Sequence, residues 1–499
     1  MSVSGISSSS ATMVQALIDM RARLAELQRQ LGSGMKSTTY AGIGLDRGLA
    51  VGLRTQLSAI GGFRNTITMV GTRLEVAQTA LTRMDDLSNE VKRATQIAPF
   101  DLDNTGQTTG QKNARLELHE MLGLLNSQAG DRYLFSGRAG DQPSVETLEH
   151  ILDGDGLRAG FKQVLAERRL ADLGDGLGRL DIPAPVGDVV TVSEEVAGPF
   201  GFKLASLVST LTNAVVTGPG GGPPPAITVD FTAGQPNAGE TITVALTLPD
   251  GSSRNVTLTA TAGPPAENEF TIGATTGDTA INLQAALAAA VGDLADLALP
   301  AASASAAAED FFNVDAANPP RRVDGPPFDT ASALVAGTPA NTVTWYTGVA
   351  GSDPARTTAV ARADQAVTVA YGMRANEQGL RLSVQNIAIF AAMTFSPSDP
   401  DAANQYREVA NRVASGLSSI PGRQKIRDVA SDLAGAQVTL GAADDRHMQT
   451  HSALTDLLQH IEGVPLEEAG AQILALQTRL QASLQTTATL FETSLVNYL

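Results

Sequence analysis

The chain has 499 residues, of which 43% are hydrophobic and 4% aromatic, with a net charge of −17 and no cysteine. The lack of cysteine excludes disulfides, thiolate metal sites and cysteine nucleophiles, and the acidic balance opposes binding to nucleic acid or anionic lipid. A chain of this length forms more than one domain, and its cores depend on aliphatic side chains.

The N-terminal residues show no sign of a cleaved signal peptide. Residues 1–10 have neither a basic start nor an apolar stretch. No run of about 18 apolar residues occurs anywhere, so no membrane-spanning helix and no membrane insertion are predicted. We therefore expect a protein that, if it leaves the cell, is exported without signal cleavage.

The N-terminal region predicts helices with heptad seams. In the first helix, apolar residues recur at alternating spacings of four and three, at Met13, Leu17, Met20, Leu24, Leu27 and Leu31. Gly32-Ser33-Gly34 ends this helix. A second helix, about 46–97, has an apolar residue every seven positions at Leu53, Ile60, Ile67, Leu74 and Leu81. A companion row with the same period begins three residues after Ile60, at Phe63, Val70, Ala77, Met84 and Val91. A third, about 111–129, carries Leu116, Leu118, Leu122 and Leu125.

The centre of the chain changes character. Residues 183–365 are rich in Gly, Pro, Ala, Thr and Val, and apolar residues alternate with period two at 227–231 and 242–248. The turn residues Asp250-Gly251 follow, so a β-hairpin beside another strand is predicted. Residues 278–291 predict a short helix and 341–346 another strand, whereas 218–225 predict a loop.

The C-terminal region repeats the heptad pattern. One row consists of Ile426, Leu433, Leu440, His447, Leu454 and Ile461, with Val429, Ala436, Ala443 and Leu457 beside it. Gly463-Val464-Pro465 ends this helix. The last helix runs to the chain end with an apolar stripe that includes Leu480, Leu484, Phe491, Leu495 and Tyr498.

These patterns predict an α+β fold, mainly α at both termini, with an inserted β-rich central domain. The terminal helices have little local sequence to cover their apolar stripes, so we expect them to pair as a long antiparallel coiled bundle. Three domains are predicted: 1–40 with 465–499 as a terminal helical domain, 41–182 with 366–464 as a helical rod, and 183–365 as a projecting insertion. We expect the stripes of 13–31 and 480–498 to pack between subunits as an assembly interface.

Few residues suggest chemistry. His119-Glu120 lacks the second histidine of a zinc-protease motif, because Gly123 stands in its place. His447 and His451 share a helix face, but the place of His447 on the apolar row favours a seam histidine packed against a polar partner. The segments at Gly34 and Gly42 lack the spacing of phosphate-binding loops and are interpreted as flexible connectors. We predict no enzyme, no cofactor and no metal site.

Four segments resemble bacterial flagellar proteins. Residues 24–36, which include Gly34, resemble the Leu-Ser-Ser-Gly-basic segment of flagellins, and 124–137 resemble the signature of hook-associated protein 3, the hook–filament junction family. The residues that carry the second match are Tyr133, Leu134, Phe135 and Gly137. Residues 371–377, with Asn376 and Glu377, and the ending at 490–499 are also similar to these proteins. The matches cover about 1–140 and 365–499.

The resemblance implies a non-enzymatic structural subunit that links hook to filament. Such proteins pass unfolded through the flagellar export channel and assemble at the distal tip by helical packing between subunits, so an extracellular location is expected. The implied partners are copies of itself, a second hook-associated protein, flagellin, and an export chaperone that binds the C-terminal helix. The alternatives are the major filament flagellin and, from another class, a secreted surface adhesin.

Overall fold

The computed structural model describes residues 4–97, 99–220, 222–314 and 319–496. The helices are α1 Ser4–Ser33, α2 Arg47–Ile97, α3 Thr109–Leu125, α4 Leu148–Asp153, α5 Phe161–Leu173, α6 Thr276–Leu297, α7 Leu299–Phe312, α8 Gln378–Ala392, α9 Ala402–Gly416, α10 Ile426–Glu462 and α11 Leu466–Val496. The strands are β1 Gln128–Ala129, β2 Arg132–Tyr133, β3 Leu180–Asp181, β4 Val189–Glu194, β5 Lys203–Ser209, β6 Val215–Gly220, β7 Ala226–Asp230, β8 Thr241–Thr247, β9 Ser253–Thr261, β10 Glu269–Thr271, β11 Arg321–Val323, β12 Leu334–Ala336, β13 Val360–Arg362 and β14 Thr368–Ala370.

The predicted fold class is confirmed, because long helices occupy both termini and the strands cluster in the centre. The chain divides into two compact units. Unit 1 consists of Met1–Val70, Arg362–Val369 and Val438–Leu499, and unit 2 of Gly71–Ala361 and Ala370–Gln437. Each unit therefore combines segments from both halves of the sequence. The finer division into three domains stays a prediction.

Unit 1 contains two antiparallel helix contacts. In the first, α1 packs against α11, with the Met13 Sδ 3.9 Å from the Thr487 hydroxyl. In the second, the start of α2 lies beside the end of α10, where Arg54 pairs with Glu462 and Arg64 with Asp444. Ala50, Leu53 and Ile461 form a small apolar cluster there. The heptad seams thus pair the N-terminal helices with the C-terminal ones.

One predicted seam residue of α10 lies elsewhere. Leu457 is 45% exposed, and its neighbour Leu458 packs on the cluster around Leu53 instead. A straight α-helix has 3.6 residues per turn, so an apolar stripe shifts gradually against a strict seven-residue repeat. At the end of α10 the row residues Leu454 and Ile461 still pack on the cluster, and only the companion position has moved by one residue.

The helices of unit 2 bury most of the predicted heptad positions. Leu74, Leu81, Met84 and Val91 of α2 are fully buried. In α3, which packs against α8, Leu118, Leu122 and Leu125 are buried, but Leu116 is 69% exposed. This helix ends at Leu125, earlier than expected. The Asn126 side chain accepts hydrogen bonds from the backbone N–H groups of Ser144 and Val145, at 2.8 and 3.0 Å, and turns the chain away.

The β-rich part of unit 2 is built from two four-stranded sheets, in the orders β3-β4-β7-β6 and β10-β9-β8-β5. They share one core with α6, which contributes Leu283, Leu287 and Val291. By length and composition α6 could cross a membrane, but these three residues pack in the core. The predicted hairpin is confirmed, because β8 and β9 pair antiparallel around the Asp250-Gly251 turn.

Two predictions in this region are wrong. Residues 341–346 form only isolated bridges, at Thr342 and Tyr346, rather than a strand. The indole N–H of buried Trp345 donates to the carbonyl of Phe312 at 2.8 Å, so a side-chain anchor fixes this segment. The predicted loop 218–225 begins as strand, since β6 continues to Gly220, which pairs with Ala226 after a register shift.

Candidate assembly site

The predicted interface residues of α1 lie along its contact with α11. Leu27 is buried, and Met13, Leu17, Met20 and Leu24 are half-buried. Leu31, at the end of the row, is 41% exposed. The heptad seam predicted for α1 is therefore used within the chain, and packing of the same residues between subunits stays a prediction.

The matching stripe on α11 also has heptad spacing. Its members alternate four and three residues apart, and they are Ala469, Ile473, Leu476, Leu480, Ser483 and Thr487. Leu484 lies off this stripe and is 41% exposed. Three other predicted interface residues cannot be placed on this stripe. Tyr498 lies outside the residues that the structure describes, and of Phe491 and Leu495 only the backbone is described.

Burial along the seam decreases towards the chain termini. Ala469 and Ile473, near the start of α11, are buried, whereas the later positions are half-buried and become the polar Ser483 and Thr487. Burial of apolar surface supplies about 25 cal/mol per Å², so among the side chains that the structure describes, those near the start of α11 contribute most of the stabilisation.

The connections before α2 and before α11 are hydrogen-bonded to each other. The N–H of Val464 donates to the carbonyl of Gly34 at 3.0 Å, and the N–H of Lys36 donates to the carbonyl of Glu462 at 2.7 Å. The Lys36 ammonium donates to the carbonyls of Ile461 and His460, at 2.8 and 3.1 Å. These carbonyls end α10, where a positive charge is favourable. The segment at Gly34 is therefore a connector as predicted, but a paired one rather than a flexible one.

A second set of apolar side chains on α1 and α11 faces solvent. We call them the outer apolar residues: Val14, Ile18, Leu466, Leu474 and Leu484. The charges on the surrounding helices nearly cancel, since three arginines and two acids in α1 with one arginine and three acids in α11 give a net charge of −1. Almost all of the net charge of −17 thus lies elsewhere in the chain. Sequence reasoning missed Val14, Ile18 and Leu474, because a single-stripe pattern gives no signal for a second face.

In unit 2, two segments that carry the family resemblance are paired with each other. The N–H of Ala375 donates to the carbonyl of Phe135 at 2.8 Å, and the N–H of Gly137 donates to the carbonyl of Met373 at 2.9 Å. Phe135 is fully buried and Leu134 nearly so. Gly137 has a φ of +67°, and an added Cβ would lie 2.4 Å from Val349 Cγ1, which explains the glycine.

Charged and amide groups also hold these two segments together. Glu377 is buried and accepts hydrogen bonds from the N–H of Arg374, at 3.1 Å, and from the Arg356 guanidinium. Burial raises the pKa of Glu377, and the charge of Arg356 opposes that rise. Asn376 donates to the carbonyl of Val314 at 3.2 Å. Tyr133 pairs through its N–H with the carbonyl of Gly140 at 2.8 Å. The arrangement joins distant segments of the chain.

The two histidines of α10, His447 and His451, lie in different environments. His447 is buried, stacks on Phe63 with ring centroids 5.6 Å apart, and donates from Nε2 to the carbonyl of Ala363 at 2.7 Å. This confirms the interpretation of a seam histidine with a polar partner. His451 is exposed. Within the part of the chain that the structure describes, no group of three or more His, Cys, Asp or Glu side chains could hold a metal.

Comparison with known proteins adds no relative: no protein-family model matches the chain, and no curated protein matches it.

Proposed function

We propose that the protein is a structural subunit of the bacterial flagellum that links hook to filament, with no catalytic site or cofactor. The observation that carries the proposal is the pairing of α1 with α11, which leaves the outer apolar residues on two helices whose combined net charge is only −1. Exposed apolar residues on two paired helices would suit an association surface. Because the rest of the chain is acidic, copies would repel least through this surface.

The junction between residues 133–137 and 371–377 supports the same proposal. Both segments resemble hook–filament junction proteins, and they are adjacent in space although far apart in sequence. A resemblance shared by chance would not require the two segments to meet.

The proposal includes partners and location. Copies of the chain, a second hook-associated protein and flagellin would contact the paired α1 and α11 after export to the extracellular tip of the flagellum. Before export, the seam stripe of α11 is exposed whenever α1 is not folded on it. A chaperone that covers Ile473, Leu476 and Leu480 would prevent premature association.

Deletion of the gene tests the role directly. We expect cells that release flagellin into the medium and carry hooks without filaments. Attached filaments, or unchanged motility, would show that the chain is not the junction subunit. A purified chain that grows long filaments from seeds would instead identify it as the major filament flagellin.

Complementation with variants tests the surface. Replacing Val14, Ile18 and Leu474 together by serine should abolish motility while the purified protein keeps its thermal stability, because these side chains are exposed. Leu116→Ser, an equally exposed leucine of unit 2, is the matched control and should restore motility. Full complementation by the triple variant would exclude this surface from assembly.

A further inference from the structure

Unit 2 contains a polar cleft of about 640 Å³. The β8–β9 turn forms one side of it, and α7, α8, α9 and the loop after α9 form the others. Its volume lies within the range of about 300–1,000 Å³ that is usual for small-molecule sites. None of the outer apolar residues lines the cleft, so its role is independent of the proposed function.

The charges around the cleft are unusual for so acidic a chain. Four arginines line it, Arg254, Arg381, Arg412 and Arg423, against the three acids Asp250, Glu309 and Glu408. The cleft therefore has a net charge of +1, in a chain whose net charge is −17.

Two of the arginines are held by acids. Arg412 pairs with Asp250 at 2.9 Å and also with Glu408, while Arg254 pairs with Glu408 at 2.9 Å. This network ties the β8–β9 turn to α9 and fixes one wall. Arg412 nevertheless keeps a buried Nη2 that has no hydrogen-bond partner. Such a donor carries a cost until an acceptor reaches it.

The other two arginines have unused donors. Arg381 is buried and pairs at 3.0 Å with Glu309, whose side chain is 48% exposed. Arg423 is exposed, and within the described ranges its guanidinium has no partner. It also lines a second cleft of about 350 Å³, which shares Ile420 and Leu382 with the first. Lys92, Lys425 and Arg427 line that second cleft against Asp85 alone.

The remaining polar lining suits hydroxyl groups. Asn411 and Ser415 of α9 and Gln385 of α8 present amide or hydroxyl groups to the cleft. Amide side chains both donate and accept, so they match an alcohol better than a hydrocarbon. Guanidinium groups bind carboxylate and phosphate oxygens in a planar, often bidentate manner.

We propose that this cleft binds a small hydroxylated oxyanion of the sugar-acid or sugar-phosphate class. Arg423 and Arg381 contact the oxyanion, and the amides of Asn411 and Gln385 contact its hydroxyl groups. The ion network of Arg254, Glu408, Arg412 and Asp250 holds the opposite wall in place.

Isothermal titration of the full chain with three probes tests the proposal. At least one of the two anionic probes, glucuronate or glucose 6-phosphate, should bind. Neutral glucose should not bind. Binding should weaken as salt is raised, because the contact is between charges. Failure of both anionic probes to bind, or equal binding of glucose, would overturn the proposal.

Variants locate the site. Arg423→Gln should weaken binding of the anionic probes by about tenfold or more, since it removes a charged hydrogen bond. This residue is exposed, so the fold is not at risk. Asn411→Ala should weaken binding by a smaller factor. Arg407→Gln, an exposed arginine of α9 outside the cleft, is the matched control and should bind as the wild type does. Unchanged binding by Arg423→Gln would place the ligand elsewhere and refute the assignment.

Discussion

The carbonyl oxygen of Phe135 accepts a hydrogen bond from the backbone N–H of Ala375 at 2.8 Å, although the two residues come from opposite halves of the chain. Phe135 itself is fully buried. This contact aligns the segments on either side, so that the carboxylate of Glu377 and the guanidinium of Arg356 meet beside it.

The Glu377→Gln variant tests how much this junction stabilises unit 2. Removing the carboxylate leaves Arg356 partly buried without its main counter-ion, which we expect to cost about 3 kcal/mol of unfolding free energy. Urea denaturation measures the loss. Glu267→Gln, at an exposed position of unit 2, is the control and should stay within about 0.5 kcal/mol of the wild type. Equal midpoints for the two variants would contradict the prediction.

Ile473 and Leu474, two adjacent aliphatic residues of α11, test the seam between α1 and α11. Ile473 is buried in the seam, and Leu474 is 67% exposed. We expect Ile473→Ala to lower the local opening free energy of α1 and α11 by about 2 kcal/mol. Leu474→Ala should have little effect on the isolated chain. Amide hydrogen exchange measures both, and similar protection in the two variants would show that Ile473 does not hold the helices together.

Two glycines at the end of α1 should respond to alanine in opposite directions. Gly32 has helical geometry and open space around it, so Gly32→Ala should stabilise α1 by about 0.5–1 kcal/mol. Gly34 has a φ of +70°, which an alanine adopts at a cost of about 1–2 kcal/mol. Thermal unfolding distinguishes the two, and destabilisation by both variants would contradict the assigned backbone geometry.

The turn at Glu240 gives a pH dependence with a defined sign. Its carboxylate accepts hydrogen bonds from Thr212 and Asn237, which lower the pKa of Glu240 to about 2. Because the folded pKa lies below the unfolded one, the stabilisation is present at neutral pH and is lost as the pH falls towards 2. Glu240→Gln should therefore be less stable than the wild type at pH 7, and the gap should close in acid. A gap that is constant with pH would refute this account.

The terminal helices could be predicted from the sequence, because their heptad rows are long and each buries a single face. The helices α7 and α8 were missed for the opposite reason. Ile387, Phe390 and Ala391 of α8 are buried on all sides, so no period appears in the sequence. The position of Trp345 against Phe312 is likewise a long-range contact that no local pattern records.

The candidate assembly site, too, could be predicted from the sequence only in part. Its seam was visible as a row of leucines, and the pairing of the two chain ends follows from it. The outer apolar residues such as Val14 and Leu474 were not recognised, since exposure depends on which face the partner helix covers. The polar cleft at Arg423 is assembled from four distant segments and has no sequence signature.

The pairing of α1 with α11 also determines the order in which parts of the protein can fold. Helix α1 can meet α11 only after the whole of the chain between them has been made. Such contacts, which are remote in sequence, form slowly because a large loop must close first. Both segments of unit 2, Gly71–Ala361 and Ala370–Gln437, precede α11 in the sequence, so they can fold before the paired surface of α1 and α11 forms.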